Sequence, residues 1–134
     1  MPQDVEVVRS MYAEFSEIAE GRDIVSFVAS YFDPDCEYQP VEEIDAIRGH
    51  DALVRWHQRW FEAWEEFRAD VDEIIDAGEV VFAAITVHGR GGGSGMEITQ
   101  LFFHVIEVRS SMILRMREYL ERDPALEAAG LENE

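Results

Sequence analysis

The fold is decided by residues 96–121, which read MEITQLFFHVIEVRSSMILRMREYLE. Apolar and polar side chains alternate along most of this stretch, and a period of two residues is typical of β-strands whose two faces differ. The alternation predicts two strands, Met96–Val108 and Met112–Glu121, joined by a short turn at residues 109–111. The second half of the chain is therefore expected to contain a long antiparallel hairpin.

Each strand of this hairpin has an ionisable side chain on an otherwise largely apolar face. The residues that share these two faces are Ile98, Gln100, Phe102 and Ile106 around His104, and Leu114, Met116 and Leu120 around Glu118. A turn centred on Ser110 would make His104 and Glu118 diagonal neighbours. Burial is expected to raise the pKa of Glu118, so that it becomes a base that works near neutral pH. The alternatives are a structural ion pair for Glu118 and an ordinary core position for His104.

Two further strands are predicted ahead of the hairpin. Apolar and polar residues alternate over residues 67–72, and Ile74–Ile75 breaks this alternation, which predicts a bulge. Residues 76–79 are predicted to form a hairpin turn, followed by a strand at Val80–His88. Residues 89–95 read GRGGGSG and are expected to be a flexible connection. They lack the Gly-Lys ending of a phosphate loop and stand between strands, whereas phosphate loops precede a helix.

The first half of the chain is predicted to be mainly helical, since its apolar residues recur every three or four positions. The predicted elements are a helix from Val5 to Ala19 closed by Gly21, a helix at Ile24–Tyr31 capped by Asp23, a strand at Cys36–Gln39, an irregular stretch at Val41–Arg48, and a helix after Gly49 with Leu53, Trp56, Trp60 and Trp64 on one stripe. A short helix at Ala125–Ala129, stopped by Gly130, is expected after the last strand.

These elements predict a single α+β domain over residues 1–134, with three N-terminal helices packed on a strongly curved, mixed or antiparallel sheet. Such a sheet is not filled by its own side chains, so a pocket is expected between the sheet and the helices. Aromatic and flexible side chains would line it. The predicted ligand-binding residues are Tyr12, Tyr38, Trp56, Trp60, Gln100, Phe102 and Met116.

Composition excludes several functions. Eleven basic residues, all arginine, stand against 29 acidic ones, and the net charge of −18 repels nucleic acid and anionic membranes. The absence of lysine excludes Schiff-base chemistry. Cys36 is the single cysteine and the four histidines show no metal-ligand spacing, so neither a disulfide nor a metal site is expected. The chain lacks a signal-peptide or transmembrane pattern, which predicts a cytoplasmic protein.

Some longer segments resemble a known family. The turn Ile75–Val81, with its sequence IDAGEVV, and residues 117–131, REYLERDPALEAAGL, are similar to SnoaL-like polyketide cyclases of the nuclear transport factor 2-like (NTF2-like) superfamily. The resemblance implies an α+β cone with an internal pocket and a homodimer formed through the outer sheet face. It also implies that His104 and Glu118 are the acid and base of the site, although the cyclases have Asp at the second position.

The leading hypothesis is therefore a cofactor-free acid/base enzyme of cyclase, isomerase or hydrolase type. Its substrate would be an apolar, carbonyl-bearing small molecule, with Glu118 removing a proton and His104 polarising the oxygen. The alternative is a binding module that holds a hydrophobic small molecule without changing it. Leu101, Phe103 and Val105 would form an apolar patch on the outer sheet face, and this patch predicts the homodimer.

Overall fold

A computed structural model describes residues 2–18, 23–41, 43–91 and 95–131 of the chain. Within these residues the chain forms four helices and six strands. The elements are α1 (Pro2–Ile18), α2 (Ile24–Tyr31), β1 (Phe32–Gln39), β2 (Ile47–Arg48), α3 (Gly49–Ala63), β3 (Trp64–Asp76), β4 (Val81–Gly91), β5 (Glu97–Arg109), β6 (Met112–Tyr119) and α4 (Arg122–Ala128). The predicted α+β class is confirmed. No helix of the described residues is long and apolar enough to cross a membrane.

The helices begin and end for local reasons that the sequence contains. The Asp23 carboxylate accepts a hydrogen bond from the backbone N–H of Val25 at 2.9 Å and thereby caps α2. This helix ends at Tyr31 because Asp33 precedes a proline. The predicted end of the first helix, at Ala19 and Gly21, lies outside the described residues.

The sequence predicted that Trp64 continues the helical stripe of α3, and this prediction is wrong. Trp64 is the first residue of β3, where it pairs with Gly91 of β4. Its indole ring lies over Gly89, so close that a β-carbon at this glycine would be 2.9 Å from the ring. The tryptophan therefore packs across a strand pair, and β4 extends through Gly91, into the predicted glycine-rich connection. Residues 92–94 of that connection lie outside the described residues.

The sheet is curved and has the strand order β2-β1-β6-β5-β4-β3. β1 runs parallel to β6, and the other neighbouring strands are antiparallel. Strand β1 starts at Phe32, four residues before its predicted start at Cys36. The stretch predicted to be irregular contains β2, in which Arg48 pairs with Glu37.

The β5–β6 hairpin sets the register of the candidate site. Ser110 and Ser111 have φ values of 52° and 66°, so the turn has two residues and Arg109 pairs with Met112. A bulge at Leu114 then shifts the register by one residue. His104 consequently lies directly opposite Glu118, and the prediction that they are diagonal neighbours is wrong.

The bulge also changes which side chains of β6 enter the core. Ile113 is fully buried in the main core, whereas Leu114, predicted for the cavity face, is only half-buried. Leu120 lies beyond the end of β6 and is exposed. On β3 the register shifts between Val71 and Glu73, slightly before the predicted bulge at Ile74–Ile75. The sequence therefore predicted the β3 bulge close to its position but not the bulge on β6.

The sheet has a hydrophobic cluster on each face. The concave face packs against α1, α2 and α3, whereas α4 covers part of the convex face. The buried members of the convex cluster are Phe82, Ala84, Phe103, Val105, Ala125, Leu126 and Ala129. Phe103 and Val105 are only 6% and 2% exposed, so they do not form the predicted apolar patch with Leu101, which is 42% exposed. The C-terminal helix covers this area because its own apolar residues face the sheet.

Candidate functional site

A cavity lies between the concave face of the sheet and helices α1–α3. Its volume is about 50 Å³, which is room for a few water-sized groups and far below the roughly 300–1,000 Å³ of pockets for drug-sized ligands. The predicted site residues that line it are Tyr12, Tyr38, Trp56, Trp60, Phe102, His104, Met116 and Glu118. A ligand with several rings therefore requires the aromatic side chains of the lining to move.

Gln100 does not join these residues. By register it lies opposite Val87, which lines the cavity, but its side chain is exposed and its amide donates a hydrogen bond to the carbonyl of Leu101 at 2.9 Å. β6 ends with the pair Phe103–Tyr119, so this part of β5 extends past its neighbour. The alternation of side chains predicts the face of Gln100 correctly but not the limit of the cavity.

Glu118 is held by three hydrogen bonds. Its Oε2 accepts from Nε2 of His104 at 2.8 Å and from the Tyr38 hydroxyl at 3.1 Å. Its Oε1 accepts from the backbone N–H of Val41 at 3.2 Å. The direct register of β5 and β6 brings the imidazole and the carboxylate together, and the parallel pairing of β1 with β6 places Tyr38 beside Met116.

The expectation that the pKa of Glu118 lies above its ordinary value is wrong. Burial by itself does raise it, but the hydrogen bond and electrostatic attraction of His104, with the hydrogen bonds from Val41 and Tyr38, outweigh that effect. The pKa of Glu118 therefore lies below its ordinary value. The group is a carboxylate at neutral pH and a weaker base than a buried, unpaired acid would be.

The second ring nitrogen of His104 is also engaged. Its Nδ1 forms a short hydrogen bond with the Tyr12 hydroxyl, and the two rings are stacked with centroids 5.8 Å apart. Burial, followed by repulsion from Glu118, raises the pKa of Tyr12 well above its usual value, so Tyr12 is a phenol and not a phenolate. Tyr12, His104, Glu118 and Tyr38 thus form a continuous buried chain of hydrogen bonds, which we call the relay.

The relay has two proton arrangements. In one, the Tyr12 hydroxyl donates to a neutral His104, whose Nε2–H donates to Glu118. In the other, His104 is an imidazolium that donates to the Tyr12 oxygen and to Glu118. The first arrangement becomes the second when a proton is added at the Tyr12 hydroxyl and that hydroxyl's own proton passes to Nδ1, so Tyr12 is a phenol in both.

The opposite wall of the cavity is formed by α3 and is rich in aromatic rings. Trp56 and Trp60 are stacked at 5.6 Å, and Trp56 meets Tyr38 edge-on at 5.1 Å. His57, which was not predicted as a cavity residue, lies among these rings and is 5% exposed. Its position four residues after Leu53 places it on the buried stripe of α3, and this spacing was the available signal. Burial lowers the pKa of His57 to about 4.

The described residues contain no group of three or more His, Cys, Asp or Glu side chains that could hold a metal ion. Each charged group at the cavity is instead accounted for by the relay. The chemistry that the lining residues themselves offer is therefore proton transfer and hydrogen bonding within an apolar space.

Residues 8–116 match the SnoaL-like domain, and the chain belongs to this family within the NTF2-like fold. The comparison with curated proteins gives no significant match. Among solved structures, the chain is similar to a Catenulispora acidiphila protein with a ketosteroid isomerase-like fold, in complex with trimethylamine. That pair has a TM-score of 0.75 and 17% identity, over 95% of this chain and 94% of the other.

Two further structures show the same fold. TerC co-crystallised with polyporic acid has a TM-score of 0.74 and 20% identity, over 96% of this chain and 98% of the other. An LEH-like epoxide hydrolase of M. tuberculosis has a TM-score of 0.73 and 17% identity, over 90% of this chain and 84% of the other. The fold is thus shared by proteins with different bound molecules, trimethylamine and polyporic acid, and by an epoxide hydrolase.

Proposed function

We propose that this protein is a cofactor-free enzyme that transfers a proton on an apolar, carbonyl-bearing small molecule bound in the cavity. The reaction would be of cyclase, isomerase or hydrolase type. The relay is the observation that carries the proposal, because it joins two phenols, an imidazole and a carboxylate inside an otherwise aromatic cavity. The TerC complex with polyporic acid supports a small-molecule ligand in this fold.

The geometry favours a different division of roles from the one that the sequence suggested. Glu118 already accepts three hydrogen bonds and has a lowered pKa, so it orients and stabilises His104 instead of taking the proton from the substrate. The Tyr12 oxygen is the group at the end of the relay that would contact the substrate. When it accepts the substrate proton, its own proton passes to Nδ1 of His104, and the reverse transfer returns a proton to another atom of the substrate.

Exchange of hydrogen for deuterium tests this proposal without knowledge of the natural substrate. Small apolar ketones, such as cyclohexanone, are incubated with the protein in D₂O, and deuterium at the carbon next to the carbonyl is followed by NMR. The wild-type protein is expected to accelerate exchange, and His104→Phe and Tyr12→Phe to slow it by about 10²-fold or more. Tyr119→Phe, which removes a hydroxyl from the convex face, is the matched control.

The proposed catalysis is wrong if these variants exchange the ketones as fast as the wild-type protein. The second candidate function, binding without turnover, is favoured by the small cavity and by the fact that every member of the relay already has a protein partner. Native mass spectrometry of freshly purified protein separates the two functions. A retained and chemically unchanged ligand supports the binding module.

Homodimerisation through the convex face of the sheet remains a prediction. Because α4 covers Phe103 and Val105, the contact would use the part of this face that α4 leaves free, around Leu101. Light scattering at micromolar concentration is expected to give twice the chain mass of 15.4 kDa. A single species at 15.4 kDa would contradict the dimer.

A further inference from the structure

His57 is a buried polar residue that the relay does not use. Its ring lies among those of Trp56, Phe27 and Phe15, with centroids at 5.0, 5.6 and 5.8 Å. It forms no ion pair with any described residue, in contrast to His104. A polar group in such surroundings is stable only if its hydrogen-bonding atoms find partners.

The protonation state of His57 follows from its partner. Nδ1 lies 2.9 Å from the carbonyl oxygen of Leu53, and because a carbonyl oxygen can only accept, Nδ1 has the hydrogen. Burial lowers the pKa to about 4, so the ring is neutral at pH 7. Nε2 therefore has a free lone pair and is a hydrogen-bond acceptor.

Nε2 has no donor among the residues that the structure describes. Its residue lines the cavity, so the cavity is the place from which a donor can come. An unpartnered buried polar atom costs about 1–3 kcal/mol. In the described part of α3, the buried indole N–H of Trp60 has no acceptor, and three residues earlier Nε2 of His57 has no donor at the same cavity.

We propose that this helical wall binds a hydroxyl group of the ligand, with Nε2 of His57 as the acceptor and the indole N–H of Trp60 as a donor. A hydroxyl fits because it donates and accepts at once, whereas a carbonyl would leave Nε2 without a partner. An ammonium group can only donate, so it would leave the indole N–H of Trp60 without an acceptor. Resting on the proposed function, this inference narrows the substrate to an apolar compound that has a hydroxyl as well as a carbonyl group.

The test compares two probes of similar shape, phenol and toluene, and a variant of similar shape, His57→Phe. Ligand-observed NMR titrations at neutral pH give the dissociation constant of each probe. The preference for phenol over toluene is expected to fall about tenfold in His57→Phe, which is the usual effect of one lost hydrogen bond to a buried group. His88→Asn, on the convex face, should keep the wild-type preference.

A spectroscopic measurement on the wild-type protein makes the test independent of whether His57→Phe folds. ¹⁵N spectra of the histidine side chains should show His57 with hydrogen on Nδ1, and phenol but not toluene should shift its Nε2 resonance. Equal weakening of both probes in the variant, or hydrogen on Nε2 of the free protein, would overturn the inference. If neither probe binds at millimolar concentration, the proposed function and the hydroxyl-binding site both fail. Selective binding of phenol without ketone exchange supports the hydroxyl-binding site and rejects only the catalysis.

Discussion

The cavity has two buried histidines in opposite surroundings, His104 on the β5–β6 hairpin, which we call the sheet wall, and His57 on α3, which we call the helical wall. On the sheet wall, His104 has a carboxylate on one nitrogen and a phenol on the other. On the helical wall, His57 has a backbone carbonyl on one nitrogen and aromatic rings around the remainder of the ring. Both side chains are almost fully buried, at 3% and 5% exposure, so burial alone does not explain the difference.

The difference lies in the charge that faces each ring. Desolvation disfavours the charged form of any histidine, and a neighbouring carboxylate favours it. The sheet wall therefore holds His104 between a carboxylate and a phenol, whereas the helical wall keeps His57 neutral and offers its lone pair. The first arrangement is suited to proton transfer and the second to positioning a ligand.

Removal of the carboxylate should have the largest effect on this contrast. Glu118→Ala would remove the acceptor of the His104 Nε2–H and of the Val41 N–H, and one partner of the Tyr38 hydroxyl. The free energy of unfolding is expected to fall by about 3 kcal/mol, in the range seen when one partner of a buried pair is deleted. Urea unfolding at neutral pH measures this change.

Glu107→Ala is the matched control for that experiment. Glu107 is on the same hairpin, but its side chain is about one-third exposed and lies 3.6 Å from Arg115, which is more exposed still. Its removal should change the free energy of unfolding by less than about 0.5 kcal/mol. Equal losses in the two variants would mean that the sheet wall gains nothing from the buried pair.

The second-largest effect is expected for His57, in the pH dependence of the free energy of unfolding. The pKa of His57 is about 4 in the folded chain and 6.5 when unperturbed, so the unfolded chain binds the proton more tightly. The stabilisation is complete above pH 6.5 and is lost as the pH falls towards 4. Linkage gives a loss of about 2 kcal/mol between about pH 7.5 and pH 5.0 from this residue. His57→Phe should lose that much less stability over the same interval.

Glu118 provides an internal check on this result, because its window is different. Its folded pKa lies below the ordinary value of 4.5, so its contribution is present above that pH and is lost only as the pH falls through the folded pKa. Acidification to pH 5.0 therefore probes the helical wall far more than the Glu118 carboxylate. If His57→Phe and the wild-type protein lose the same stability, His57 is not held neutral by burial.

The contrast between the walls also shows what the sequence could reveal. Alternation along residues 96–121 was sufficient to place His104 and Glu118 on one face, because a strand has only two faces. It could not place Leu114, since a bulge adds a residue without leaving a mark in the pattern. It could not give the direction of the Glu118 pKa shift either, which depends on Val41 and Tyr38, more than 70 positions away in the chain.

Helical spacing was similarly informative and similarly incomplete. It identified Trp56 and Trp60 as one stripe, but it extended that stripe to Trp64, which belongs to β3. His57 fits the same helical spacing, four residues after Leu53. Its role can be inferred only once the neighbouring rings and the Leu53 carbonyl are known. The apolar residues of the convex face were also recognised in the sequence. The sequence did not show that α4 of the same chain covers Phe103 and Val105.

The smallest effect on stability is expected for Tyr12, at the end of the relay opposite Tyr38. Tyr12→Phe removes the hydroxyl and keeps the ring that stacks on His104, so about 1 kcal/mol of unfolding free energy should be lost, as for one buried hydrogen bond. The same variant should lose most of the ketone exchange, because the proton then has no oxygen through which to reach Nδ1. A purely structural tyrosine would show the same loss of stability with ketone exchange kept. The two measurements on this variant therefore decide whether the Tyr12 hydroxyl, on α1, takes part in proton transfer or only stabilises the fold.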